Sequence, residues 1–265
     1  VAYEGKFKEL EQLYSSHTCC HIETLADDGL LISDAELEAW VKDIYENGKG
    51  KVHIPTVKKL AKYFSDAIQA GYGINLNDID LNTPDADMLS HLVNNCYTFA
   101  VAKNKTHLQK LTALINNNGK IREWADYLQE ASKLNLKLNK TWLKTEYDLA
   151  IAGGTMASKW VNFSSSSDTM LRYSTVGDAR VRDSHRLLDG TTLPANHKFW
   201  NTAYPPNGFK CRCDADSIPY TTPATPTDKV PATGSDVIPK LFQVNLAKEK
   251  LAFPPKHPYY NAFNK

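Results

Sequence analysis

Apolar residues recur at three- and four-residue intervals through most of the first 160 positions, the spacing that gathers side chains on one helix face. Leu37, Trp40, Val41 and Ile44 form one such stripe. Ser33 and Glu36 precede it as a capping box, in which the hydroxyl accepts from the third helical N–H and the carboxylate reaches back. Gly48 and Gly50 mark its end. Pro55 and Thr56 start a second helix, with Val57, Leu60, Ala61 and Phe64 inward and Gly71 and Gly73 at its close. After a polar connector (74–87), Thr83 as cap and Pro84 at the first helical position predict a third helix to about Lys103. Leu108, Leu111, Leu114 and Ile115 predict a fourth, stopped at Asn118 and Gly119. A fifth runs from Ile121 to about Leu134 with Trp124, Tyr127 and Leu128. Asn139 is expected to cap a sixth, from Lys140 to about Trp160. Residues 1–14 carry a shorter helical pattern. At these spacings Trp and Leu stripes read as helix core.

The pattern then changes. SSSSD (164–168) reads as a hinge, and TMLRYST (169–175) alternates like a short strand. Beyond Cys213 the chain is rich in Thr, Pro and Ala without periodicity, as in a linker or surface arm. Residues 238–263 regain apolar side chains between prolines and are expected to dock on the body or on a neighbouring subunit. The fold class is therefore α+β: a predominantly helical N-terminal body (1–135), a small loop-rich α+β module (136–218), and a linker with a docking tail (219–265).

With 265 residues, 42% hydrophobic and 23% charged, the chain has the composition of a globular protein, and its net charge of +1 gives no global drive toward nucleic acid. No apolar run approaches the roughly 18–20 residues that span a bilayer, and no membrane partner is expected. The N-terminus is polar, without the apolar core of a signal peptide. Five cysteines (Cys19, Cys20, Cys96, Cys211, Cys213) make a poor disulfide framework and point to reduced thiols. His17, Cys19, Cys20 and His21 resemble a metal site, but adjacent cysteines converge poorly on one ion, so packing is the expectation there.

Residues 178–213 hold the least ordinary chemistry. Between positions 171 and 213 seven Arg or Lys stand against three Asp. Arg172, Arg182, Arg186, Lys198 and Lys210 are candidates to face DNA or an acidic protein surface. His185, His197, Cys211 and Cys213 offer a His2Cys2 set within 29 residues, suited to one structural zinc. Two other readings of the same residues stay open: small buried cysteines with hydrogen-bonded histidines, or a thiolate activated beside Arg212 and His185. Asp189–Gly190 and Asn207–Gly208 read as tight turns, with Pro205 and Pro206 fixing entry to the second. Asp178, Arg180, Arg182 and Asp183 read as Arg–Asp pairs that pin a loop, or as an acid–base set.

The run DARVRDSHRLLDGTTLP (178–194), then Phe199–Trp200, then PPNGFKCRC (205–213), resembles the C-terminal domain of the phage Mu F-like minor head proteins, the head-morphogenesis family. NKTWLKTEYDLAI (139–151), ASKW (157–160) and LRYST (171–175) agree with it, so the resemblance covers about 80 residues, 139–218. It implies a structural component of a tailed-phage or prophage virion, made in the bacterial host cytoplasm and located inside the head near the portal vertex. The implied partners are the portal protein, other capsid proteins and packaged double-stranded DNA, and the implied work is head assembly, DNA packaging or delivery. The family-like positions are Arg180, His185, Asp189, Gly190, Trp200, Pro205, Pro206, Asn207, Gly208, Cys211, Arg212 and Cys213. Position 197 departs, since relatives carry an acidic residue there; this brings Asp189 forward as alternative ligand, or leaves the site without metal. The competing function is a Cys/His-dependent hydrolase or toxin-like enzyme using His185, Asp189 and Cys211 or Cys213.

Overall fold

The computed structural model describes residues 2–15, 32–48, 50–166 and 168–264. The His17, Cys19, Cys20 and His21 group lies outside them, as does Ser167 of the expected hinge. The elements are α1 (Ala2–Ser15), α2 (Asp34–Asn47), α3 (Ile54–Tyr72), α4 (Pro84–Leu114), β1 (Asn116–Asn117), β2 (Lys120–Ile121), α5 (Trp124–Leu136), α6 (Trp142–Ser164), β3 (Met170–Ser174), α7 (Asp183–Arg186), β4 (Thr192–Pro194), α8 (Trp200–Ala203) and β5 (Asp214–Ile218). The α+β class holds: a mainly helical first part, then a small β-containing module. None of the described helices is long and apolar enough to cross a membrane.

The α2 caps form as the pattern predicts. Ser33 accepts from the Glu36 N–H, Glu36 returns a bond to the Ser33 N–H, and Gly48 closes the helix at φ +62°. Three boundaries differ. The expected third and fourth helices are one, α4, because residues 103–107 contain no Gly or Pro and their polar side chains find partners instead of breaking the helix. The Asn104 side chain, for example, accepts from the His53 N–H at 2.9 Å. Ile121 starts no helix: it pairs with Asn116 in a two-stranded hairpin, and α5 begins at Trp124. Asn139 caps nothing, because α5 passes into α6 through a π-helical stretch (Lys137–Thr141); its buried amide donates to Asn135 Oδ1 at 2.7 Å.

Two compact units interleave along the sequence. The first comprises Val1–Tyr63, Cys96–Glu146 and His257–Lys265. In it Tyr45 meets Trp124 and Tyr127 and donates to the Arg122 carbonyl at 2.7 Å, which ties α2 to α5. Deeper inside, Lys103 and Glu146 form a fully buried ion pair. Tyr14 and Tyr259 both donate to Glu146 Oε1, at 2.6 and 3.0 Å.

The second unit comprises Phe64–Asn95 and Tyr147–Lys256. Here α3 and α6 touch backbone to backbone. A Cβ at Gly71 would stand 2.0 Å from the Ile151 carbonyl oxygen, and one at Gly154 would stand 2.2 Å from that of Ile68. Gly71 is thus a contact inside α3, not its terminator, whereas Gly73 (φ +86°) lies just past the end. The sheet has order β4-β3-β5, all antiparallel, with Met170 opposite both Pro194 and Ile218. β5 corrects the expectation of a linker starting directly after Cys213. Its polar sequence DADSI hides an edge strand whose Ala215 is buried. The tail docks as expected: Phe242 packs edge-on against Phe209, and the Asn95 side chain accepts from the Ala252 and Phe253 N–H groups.

Candidate metal centre

The sheet register brings the candidate residues together. β3 ends at Ser174 opposite Asp214, the residue after Cys213. The chain leaving β3 turns through residues 175–182 into α7, which carries His185. Cys211 and Cys213 therefore arrive at the same end of the sheet as His185. One ligand atom from each of the three lies within 4.8 Å of the others. His185 Nδ1 stands 3.8 Å from Cys211 Sγ and 3.5 Å from Cys213 Sγ. His185 and Cys211 are buried and Cys213 is half-buried.

These separations suit a metal ion. Bond lengths of about 2.3 Å to sulfur and about 2.0–2.1 Å to nitrogen give tetrahedral N···S edges of roughly 3.6 Å. His185 Nε2 is buried without a hydrogen-bond partner among the described residues, so the ring's polar contacts are with the two sulfurs. The thiols are electrostatically linked. A hydrogen bond from Cys213, reinforced by His185, holds Cys211 well below the ordinary thiol range, and the Cys211 sulfur together with burial pushes Cys213 up. A bound cation removes this conflict by stabilising both thiolates.

Two sequence candidates do not join the group. Asp189 Oδ1 accepts from the Thr175 N–H at 2.7 Å, closing the turn whose Gly190 sits at φ +75°. His197 Nδ1 accepts from the Phe199 N–H at 3.2 Å, in a local turn away from the three clustered residues. The enzyme-like set of His185, Asp189 and a cysteine is likewise not assembled.

The remaining candidates frame the cluster. Asp178 takes a two-pronged contact from Arg212 (2.7 and 2.8 Å) and a weaker one from Arg180, and these cations hold its carboxyl below the usual range. The Arg–Asp pairing expected of this segment is thus observed. Arg182 donates to the Phe209 carbonyl at 2.6 Å. Gly208 makes room for it, since a Cβ there would meet the Arg182 guanidinium at 3.3 Å. The positive φ of this turn falls on Lys210 (+56°), not on Gly208. Arg186 is tied to the Asp178 carbonyl and to Asp183. Arg172, on the exposed side of β3, and Lys198 are both exposed and do not line the small pocket beside the cluster. A small pocket is lined by His185, Cys211 and Cys213 together with Arg180, Arg182, Lys210 and Arg212.

Beneath it, Trp200 is fully buried between Phe199 and Tyr204, and the Pro205–Pro206 bond is cis. Asn207 does more than turn the chain. Its amide donates to the Thr202 and Tyr204 carbonyls, and its oxygen accepts from the Tyr173 hydroxyl at 3.0 Å. Tyr173 is a supporting residue that sequence reasoning missed. Its place on the inward face of β3 was the available signal.

Residues 105–216 match the family described as phage Mu protein F like protein. That span contains every residue of the cluster and of its pocket. Over this segment the chain is similar to the phage Mu F-like family. It is 43% identical over 47 residues to the Mu-like prophage FluMu F protein of Haemophilus influenzae, which covers 18% of this chain and 11% of that protein. It is also 43% identical over 42 residues to the putative capsid assembly protein F of Escherichia phage Mu, covering 16% and 10%. The chain thus spans about a tenth of the length of these curated relatives. No solved structure matches it.

Proposed function

We propose that this chain is a structural minor head protein of a tailed phage or prophage. It resides inside the head near the portal vertex, contacts portal and capsid proteins, and acts in head assembly and in DNA packaging or delivery. The observation that carries this reading is the Mu F-like match over residues 105–216, together with a relative whose name describes capsid assembly. Within that role, His185, Cys211 and Cys213 hold one structural zinc, which fastens the early and late ends of the loop-rich segment across β3. Thiolate and imidazole donors select zinc over the hard oxygen-binding cations. The zinc would supply a cross-link between the two ends of the segment, and Asp178, Asn207 and Tyr173 orient the loops around it.

The test is incorporation. Co-expressed with the portal and capsid proteins of its own phage, the chain co-purifies with assembled heads, and Cys211→Ser lowers its copy number in them. Heads that assemble, package DNA and lack the wild-type chain would contradict the role.

A further inference from the structure

We propose that the metal at His185, Cys211 and Cys213 keeps its fourth coordination position for a phosphate oxyanion, bound in the basic pocket that these residues line. The inference rests on the zinc reading above and names what that site takes. Zinc completes a tetrahedron, and only three ligand residues converge here among the described residues. The two further ligands that the sequence offered bond to backbone in their own turns, Asp189 to the Thr175 N–H and His197 to that of Phe199, while Asp183 pairs with Arg186 and Asp214 with Lys159. Among the described residues the fourth position is therefore open.

The pocket states what kind of ligand that is. Besides the metal-binding residues its charged walls are Arg180, Arg182, Lys210 and Arg212, and no acidic residue lines it. Asp178, behind the wall, holds Arg212 and Arg180 in position. Lys210 is half-buried, fixed by its backbone at φ +56°, and makes no ion pair among the described residues. Zinc with two thiolates and a neutral imidazole carries no net charge, so the field is that of these four cations less the one charge of Asp178, which pairs with Arg212 and Arg180. A neutral water leaves that field unanswered. A phosphate gives one oxygen to the metal and keeps others for guanidinium and ammonium donors, the geometry that arginine forks recognise.

The test uses the full chain loaded with cobalt(II), whose visible absorption at a thiolate site reports its coordination. Inorganic phosphate, added at constant ionic strength, is expected to shift the spectrum to saturation. Lys210→Asn, a residue that tolerates positive φ, should weaken that response about tenfold, and Lys210→Arg should retain it. A second arm uses a double-stranded oligonucleotide with hydroxyl ends. A shift there assigns the phosphate to the DNA backbone, and a shift with inorganic phosphate alone assigns it to the free ion. Stoichiometric cobalt with a spectrum indifferent to both, or equal phosphate affinity in Lys210→Asn, overturns this inference and leaves the metal site standing. A chain that binds neither cobalt nor zinc overturns the zinc reading itself.

Discussion

Two buried polar clusters, one in each compact unit, are completed in opposite ways. Lys103 and Glu146 are 1% and 0% exposed and answer each other's charge, while Tyr14 and Tyr259 occupy further sites on the carboxylate. His257 Nε2 stands 3.3 Å from the Tyr14 hydroxyl and extends the network into the C-terminal segment. Burial pushes Glu146 up and Lys103 down, and each is opposed by its partner, so a network of the chain's own groups closes the account. The cluster of His185, Cys211 and Cys213 does not close. Its three donors face one another at metal-edge distances, and one ring nitrogen is left without a hydrogen-bond partner among the described residues. The contrast separates a polar cluster that the chain's own groups complete from one that is capable of holding a metal ion.

The largest expected effect breaks the closed cluster. Lys103→Met leaves a buried carboxylate unpaired and should cost about 3–5 kcal/mol in urea unfolding, whereas adding Glu146→Leu should restore most of it. An uncorrected loss in the double variant would mean that packing, not charge, is what the pair supplies. The open cluster should respond to metal instead. With zinc at a hundredfold excess over its dissociation constant, linkage gives about 2.7 kcal/mol of stabilisation. Chelation should remove that amount from the wild type and nothing from Cys211→Ser, as read by thermal unfolding.

Acid sharpens the comparison further. Burial and then Lys103 hold His257 down at about 3, and burial, Lys103 and His53 do the same to His107. The unfolded chain protonates these rings near 6.5 while the folded chain resists. The stabilisation is therefore full above pH 6.5 and is lost as pH falls toward 3. By pH 5 the loss is about 2 kcal/mol per ring, and His257→Gln should flatten the pH dependence of unfolding by that share. The smallest effect concerns His197. Replacing it by Ala removes one local hydrogen bond, so the cost should stay below about 1 kcal/mol with metal content unchanged.

The sequence was legible where periodicity and caps act locally. The α2 capping box, the inward stripe of α2, the strand at β3 and the grouping of His185 with both cysteines were all readable. It was not legible where a polar residue serves a distant partner. Lys103 looked like a helix end and Asn139 like a cap, yet both are buried within helical chain, Lys103 answered by the distant Glu146 and Asn139 by Asn135 one turn back. β5 was hidden for the converse reason, since an edge strand keeps polar residues on its open side. Asp189 and His197 lay close enough in sequence to be ligands, and only the turn geometry shows them to be engaged elsewhere.

If three residues and not four hold the proposed zinc, the metal counted per chain should be one in purified wild type, one in His197→Ala and none in Cys211→Ser. A wild-type protein without zinc would remove the metal site, and a His197→Ala protein that has lost it would make His197 a fourth ligand.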